Sequence, residues 1–416
     1  MKATNVARCL ACLTLCSPAV AGIIVIDDDG GPGVDFTDIP PAVAAALPGD
    51  TLWIHAGSYS AFTIDGKHLS LLGLDAGQVL VTGSSAVKNL QLGLVTSLAD
   101  LNLARLNLAD NWGAIVLDGV ALQPGNSAFI ATSSFDVRAI GLNLPQYQGN
   151  VSQSSPSACS LNSSRVELTA SFIAAMAGVG YDDCDGGTAN SGATALTADG
   201  ASKLHLAGTS VLGGSGASVG NSSCCMLFCD CYPGNGGHGV FATGTSLILA
   251  MGNSNQSLVN GSGGKWCSKT GAAGCALLLS GTASAFVSGV SVTGGLCDQS
   301  MGSIVQVSPR DPWLDRVFTP VAGGQIRFNV HGEIGDVVTL YLGRKPLVVP
   351  LPGVQVEMLT SEERAFELGP IGAQGFATKS FTVPSFMPKG LTFYAQARVL
   401  RGAQELRTNS TPIVVR

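Results

Sequence analysis

Two groups of side chains in this sequence have the types and spacing to do chemistry. Near the N-terminus, Asp27, Asp28, Asp29 and Asp35 flank the run Gly30-Gly31-Pro32-Gly33. Carboxylates bunched on a glycine-rich loop can bind calcium, which takes several oxygen ligands. Their spacing departs from that of an EF-hand loop, and Asp-Gly-Gly-Pro-Gly is equally what a plain turn needs. Calcium is the cofactor these carboxylates would suit, and the expectation is that none is required. The second group is cysteine. Of 12 cysteines, Cys9, Cys12 and Cys16 lie at the extreme N-terminus, and the rest are Cys159, Cys184, Cys224, Cys225, Cys229, Cys231, Cys267, Cys275 and Cys297. The run from Cys224 to Cys231 could offer thiolates to zinc, but it lacks the C-x-x-C pair of common zinc sites. Disulfides that staple loops are the expectation, with one thiol left over because the number is odd. His55, His68, His205 and His331 are isolated and read as structural residues. No nucleophile elbow, P-loop or dinucleotide fingerprint occurs.

The elements that must carry these residues are short strands. The chain has 416 residues, 54 of them glycine, with only 12% charged and 6% aromatic. An average domain has roughly 25% charged residues. A chain poor in Lys and Glu but rich in Gly, Ala, Ser, Thr and Val forms helices badly and strands well. Residues 1–21 read as a secretory signal peptide: Lys2 and Arg8, an apolar run from Cys9 to Leu15, then Ala19-x-Ala21. A secreted or cell-surface location follows, where thiols oxidise. No other stretch reaches the ~18 apolar residues of a membrane span. The net charge is −6, with the acids concentrated before residue 305, which disfavours nucleic acid as a partner.

From Asp35 to Gly83 a short helical run, Ile39 to Leu47, stops at Pro48-Gly49. Strand-like runs follow at Thr51 to His55, Ala61 to Ile64 and His68 to Leu72. Ala42 to Ala46, Pro48, Gly49, Asp50, Ala56, Gly57, Tyr59 and Gly73 together resemble the N-terminal cap and first rung of right-handed parallel β-helix proteins, the pectin-lyase-like superfamily. Explicit repeats open at Ser191, His238 and Ala273. Each holds two or three short strands and closes on a Gly-Gly or Gly-Ser-Gly corner, the pattern of coils that bury a core only by stacking. Near Val305 cysteine disappears while Arg, Glu, Pro and Phe rise. The expected fold is all-β: a right-handed parallel β-helix over 22–304 with an N-terminal cap, then a small antiparallel β-sandwich over 305–416.

Within that resemblance lies a narrower one. Asp182-Asp183-Cys184, Asn190-Ser191-Gly192 and Gly237-His238-Gly239 look like elements of the polygalacturonases. The resemblance implies Asp182, Asp183 and His238 as catalytic candidates, one carboxylic acid protonating the leaving oxygen while another carboxylate activates water. The family's Asn-Thr-Asp and Arg-Ile-Lys elements are missing, and His238 opens a repeat whose counterparts are Ser191 and Ala273. Arg310 to Arg316 likewise has Asp315 where pectate lyases place a second arginine. The first expectation is thus a structural, adhesive or surface-interaction protein without catalysis, with an extracellular glycan or cell-surface component as partner. The alternative is a polysaccharide hydrolase or lyase. Aromatic platforms for a glycan are few: Trp53, Tyr59, Trp112, Tyr147, Tyr181, Tyr232 and Trp266.

Overall fold

The computed structural model describes residues 21–75, 77–123, 127–146, 157–178, 189–218, 232–253, 255–266, 269–298, 303–306, 311–351, 354–360 and 364–416. Residues 1–20 of the proposed signal peptide, Asp182, Asp183, Cys184, Cys224, Cys225, Cys229, Cys231 and Cys267 lie outside these residues. The helix Ile39–Ala45 closes one end of a stack of strands, burying Ile39, Ala42 and Val43. Asp38 caps it, its Oδ1 accepting the Ile39 N–H at 2.8 Å and the Ser60 N–H at 2.9 Å. At its far end Lys67 Nζ donates to the carbonyls of Val43, Ala44 and Ala46, which the last helical turn leaves without partners.

Among the described residues 25 strands join one sheet by parallel pairings, the arrangement of a solenoid-like coil. From residue 159 each coil gives one strand to each of three stacks. The first holds Cys159–Asn162, Leu196–Asp199, Val240–Ala242 and Leu277–Leu279, paired in that order. The second holds Arg165–Thr169, Lys203–Ala207, Leu247–Met251 and Ser284–Ser288. The third holds Phe172–Ala174, Ser210–Leu212, Ser257–Val259 and Ser291–Thr293. Side chains alternate across each strand, so Val166, Leu168, Leu204, Leu206, Ile248 and Ala250 of the second stack point into one continuous core. Where the first stack turns into the second, hydroxyls and an amide bond from coil to coil. Asn111 Nδ2 donates to Ser134 Oγ, and the Ser134 and Ser164 N–H groups donate to Ser164 Oγ and Ser202 Oγ.

The glycine-rich corners, which the sequence reads as loops, are packed structure. Between the third and first stacks three coils run outward through 175–178, 213–218 and 260–264, and return through 189–193, 233–237 and 271–274. These six segments lie side by side and bond both to like segments and to opposite ones. The Gly178 N–H reaches Ser215 O and Gly216 N–H reaches Ser262 O, linking outward segments. Gly192 N–H to Asn235 O and Gly236 N–H to Ala272 O link returning ones. Gly214 N–H to Ala193 O, Gly237 N–H to Gly214 O, Gly261 N–H to Gly237 O and Gly274 N–H to Gly261 O stitch the two sets together. A Cβ on Gly214 or Gly237 would overlap the carbonyl of Met176 or Ala193. As in collagen, chains this close admit only glycine at the contact.

The last parallel strand is Ile304–Gln306, and antiparallel pairing begins at Trp313–Arg316. One small sheet joins Trp313–Arg316, Gln325–His331 and Phe376–Thr382. Another contains Val337–Gly343, Arg364–Pro370, Thr392–Arg401, Gln404–Arg407 and Thr411–Val414. Leu314, Phe328 and Val330 from the first share a core with Leu340, Ala397 and Val399 from the second. This C-terminal module sits on the outward side of the second stack, where Tyr394 packs with Leu72, Ala99 and Val116, and Trp313 packs with Ala207 and Met251.

Candidate functional site

The sequence candidates do not meet in one place. Among the described residues Asp27, Asp28 and Asp29 hold carboxylate oxygens within 4.8 Å of one another. Asp28 already accepts the Ser58 N–H and Asp27 the Asp29 N–H, so this trio supplies part of the six or so oxygens calcium prefers. Asp35 stands outside the trio, its carboxylate accepting the Val25 N–H at 2.8 Å. His238 is half-buried, and its Nδ1 accepts the Cys275 N–H of the next coil at 2.9 Å. Burial lowers its basicity. Cβ atoms at Gly237 and Gly239 would strike Ala193 and Ala276 carbonyls, so Gly-His-Gly is a stacking corner.

Cysteine needs one correction. Cys275 and Cys297 form a disulfide, but Cys159 is free. The alternation of its strand turns it into the core between Phe129 and Leu196 of the neighbouring coils. Burial pushes its thiol up to about 12, which suppresses the nucleophilic thiolate.

The chemically charged part of the molecule is the face under the C-terminal module. Asp118 is fully buried, with Arg316 Nη1 and Nη2 each 2.6 Å from its carboxylate and Arg416 bridging it to Asp100. Burial would raise Asp118, but the charge and hydrogen bonds of Arg316, then of Arg416, outweigh it and hold the carboxyl down to about 2. Beside it Arg138, also wholly buried, donates Nε and Nη2 to Asp136 and Nη1 to Ser410, and lies over the Tyr394 ring at 5.0 Å.

Parallel register extends Arg138 into a ladder: Arg138 opposes Glu167, Glu167 opposes His205, His205 opposes Leu249 and Leu249 opposes Phe286. Past Arg138 the module stands away from the sheet and leaves a cleft of about 390 Å³. Glu167, His205, Lys203, Leu249 and Phe286 line one wall, and Asp311, Gln396, Glu405, Arg407 and Thr408 the other. Glu167 is only 2% exposed and its Oε1 has no hydrogen-bond partner. Burial pushes its carboxyl up to about 8 against the pull of Arg138 and Arg165, so it is protonated at neutral pH. Burial and then the charge of Arg165 bring His205 down to about 4, leaving the imidazole neutral. A neutral acid and a neutral base therefore stand on adjacent rungs, Glu167 Oε2 and His205 Nδ1 being 4.0 Å apart. Sequence reasoning passed over Glu167 and took His205 for structural. The signal was present: Ser164-Arg165-Val166-Glu167, Ser202-Lys203-Leu204-His205 and Ser246-Leu247-Ile248-Leu249 align residue for residue.

A second convergence lies at the far edge of the glycine segments. The Ala189 N–H donates to Tyr232 O at 2.8 Å, Lys265 N–H donates to Ser218 Oγ at 3.0 Å, and Lys269 Nζ lies over the Tyr232 ring at 4.4 Å. Three separate coils are thus joined along this edge. No family model matches the chain, and no curated protein matches it.

Proposed function

We propose that the chain is an exported right-handed parallel β-helix, related in architecture to the pectin-lyase-like superfamily and carrying a C-terminal β-sandwich, which acts as a non-catalytic surface-interaction protein. The observation that carries this reading is the glycine bundle. Chains held by hydrogen bonds in several directions fix Ala189, Ser218, Tyr232, Lys265 and Lys269, which belong to successive coils, along one edge without needing a hydrophobic core at that corner. A scaffold that presents a surface needs that rigidity, and the partner expected is an extracellular glycan or cell-surface component. His238, the one polygalacturonase-like catalytic candidate with a described position, has its ring nitrogen engaged by the Cys275 amide.

The reading is tested with mature protein recovered from the producing cells. N-terminal sequencing should start near residue 22, and the protein should bind extracellular polysaccharide without releasing product from it. Product that disappears in the Asp183→Ala variant would replace this reading with a hydrolase or lyase, and an uncleaved intracellular chain would remove export.

A further inference from the structure

With Leu204, Leu206, Ile248 and Ala250 turned into the core, the strands Lys203–Ala207 and Leu247–Met251 present their alternate residues outward. Register sets His205 opposite Leu249 and Ala207 opposite Met251, so His205 and Met251 are diagonal neighbours on one face. Their side chains lean together until His205 Nε2 stands 3.2 Å from Met251 Sδ. The other ring nitrogen, Nδ1, is 4.0 Å from Glu167 Oε2 on the preceding coil. A carboxyl behind one ring nitrogen while the other points at a second donor is the arrangement that orients ligating histidines. Both donors line the cleft under the C-terminal module, where His205 keeps 21% of its side chain exposed. Met251 also meets Ala207 and Trp313, so it has one apolar side and one side toward the cleft.

We propose that His205 Nε2 and Met251 Sδ bind a soft monovalent cation, copper(I), which enters from the cleft. The donor chemistry selects the ion: thioether sulfur is a soft ligand that favours copper(I), and imidazole suits copper as well. Calcium and magnesium take oxygen ligands, and zinc takes a tetrahedral set that this pair does not supply. Bonds of about 2.0 Å to nitrogen and about 2.3 Å to sulfur span donors roughly 3 to 4.3 Å apart, as the angle at the metal opens from a right angle to a straight line. The observed 3.2 Å lies at the bent end of that range, which leaves the cleft side of the ion open to a further ligand. The ion keeps its oxidation state throughout. A ring N–H donating to sulfur would give the same contact, and metal titration separates the two. The inference goes beyond the surface-interaction role and stands or falls separately from it, because the cleft lies on the module side of the coils.

The test is a titration of the full mature chain with silver(I), a soft probe that does not change oxidation state as copper does. The protein carries methionine labelled with ¹³C at the methyl group, and its accessible thiols are alkylated so that they do not take up the silver. One methionine methyl resonance should move within the first equivalent, and it should be the resonance missing from Met251→Leu. In His205→Leu the Met251 resonance should need at least about tenfold more silver(I) to move as far. Met251→Leu conserves volume, and leucine already fills the outward position next to His205 at Leu249, so both variants should melt close to the wild type. Zinc at the same concentration should leave the Met251 resonance in place. A Met251 resonance that silver(I) does not move overturns the proposal and leaves a plain N–H to sulfur contact. An equal response in His205→Leu, or an equal response to zinc, overturns it as well.

Discussion

Glu167 keeps a proton that the unfolded chain would release near its ordinary value of 4.5, because its carboxyl is buried and rises to about 8. The folded state then binds more protons than the unfolded state, so this group's contribution to stability is fully present below pH 4.5 and is lost as pH rises toward 8. His205 acts oppositely. Lowered from 6.5 to about 4, it costs stability as pH falls through that window. The two offset each other between about pH 4.5 and 6.5, and Glu167 alone titrates above it. Thermal denaturation should show wild-type stability declining relative to Glu167→Gln from pH 6.5 to 8, by up to about 1.4 kcal/mol for each tenfold change in proton concentration. Parallel profiles for the two proteins would refute a protonated Glu167. Asp118 gives a second test at this scale. Asp118→Asn leaves Arg316 and Arg416 facing a neutral group in a buried site, and should cost about 3–5 kcal/mol in urea denaturation. A loss below about 1 kcal/mol would show that water reaches the pair.

The elements divide into those that the sequence reveals and those that it conceals. Short strands bounded by turn residues were legible, and the repeats opening at Ser191, His238 and Ala273 pair in register as Leu196, Val240 and Leu277. Gly57–Ser60, between the strand-like runs that end at His55 and begin at Ala61, is a strand of its own, with Tyr59 pointing inward and buried. Gly-Ser texture has no periodicity of its own, so segments such as Gly213 to Ser218 read as loops. They become structure only when six of them lie together, a property of the stack rather than of any one segment. The cleft was hidden for a related reason: Arg138, Glu167 and His205 are distant in sequence and meet only through coil register. Cys159 shows the converse, since its strand phase explains a free thiol that counting cysteines could not locate. The bundle yields its own prediction. Gly214→Ala places a methyl group against the Met176 carbonyl and should lower stability by about 1–3 kcal/mol or more, whereas Gly372→Ala, with open space around it, should be near neutral. Equal melting temperatures for the two variants would contradict close packing of the segments.

At the scale of the whole molecule, the C-terminal module is part of the same body as the coils. It covers Leu72, Ala99 and Val116 and neutralises Asp100 and Asp118, which the parallel sheet alone would leave on its surface. A chain ending at residue 306 should therefore bind a hydrophobic dye and melt at lower temperature than the full chain. Unchanged melting would make the module an independent appendage. Among the described residues no helix is long and apolar enough to cross a membrane. The coil stack, the module and the glycine bundle together form the rigid support on which the proposed surface role depends. The most direct measurement of that support is amide hydrogen exchange across 213–218, 234–237 and 260–264, compared with strand Lys203–Ala207. Protection close to that of the strand is predicted, because these amides donate to carbonyls of neighbouring segments. Exchange as fast as that of an open loop would contradict the bundle and remove the platform from the proposed function.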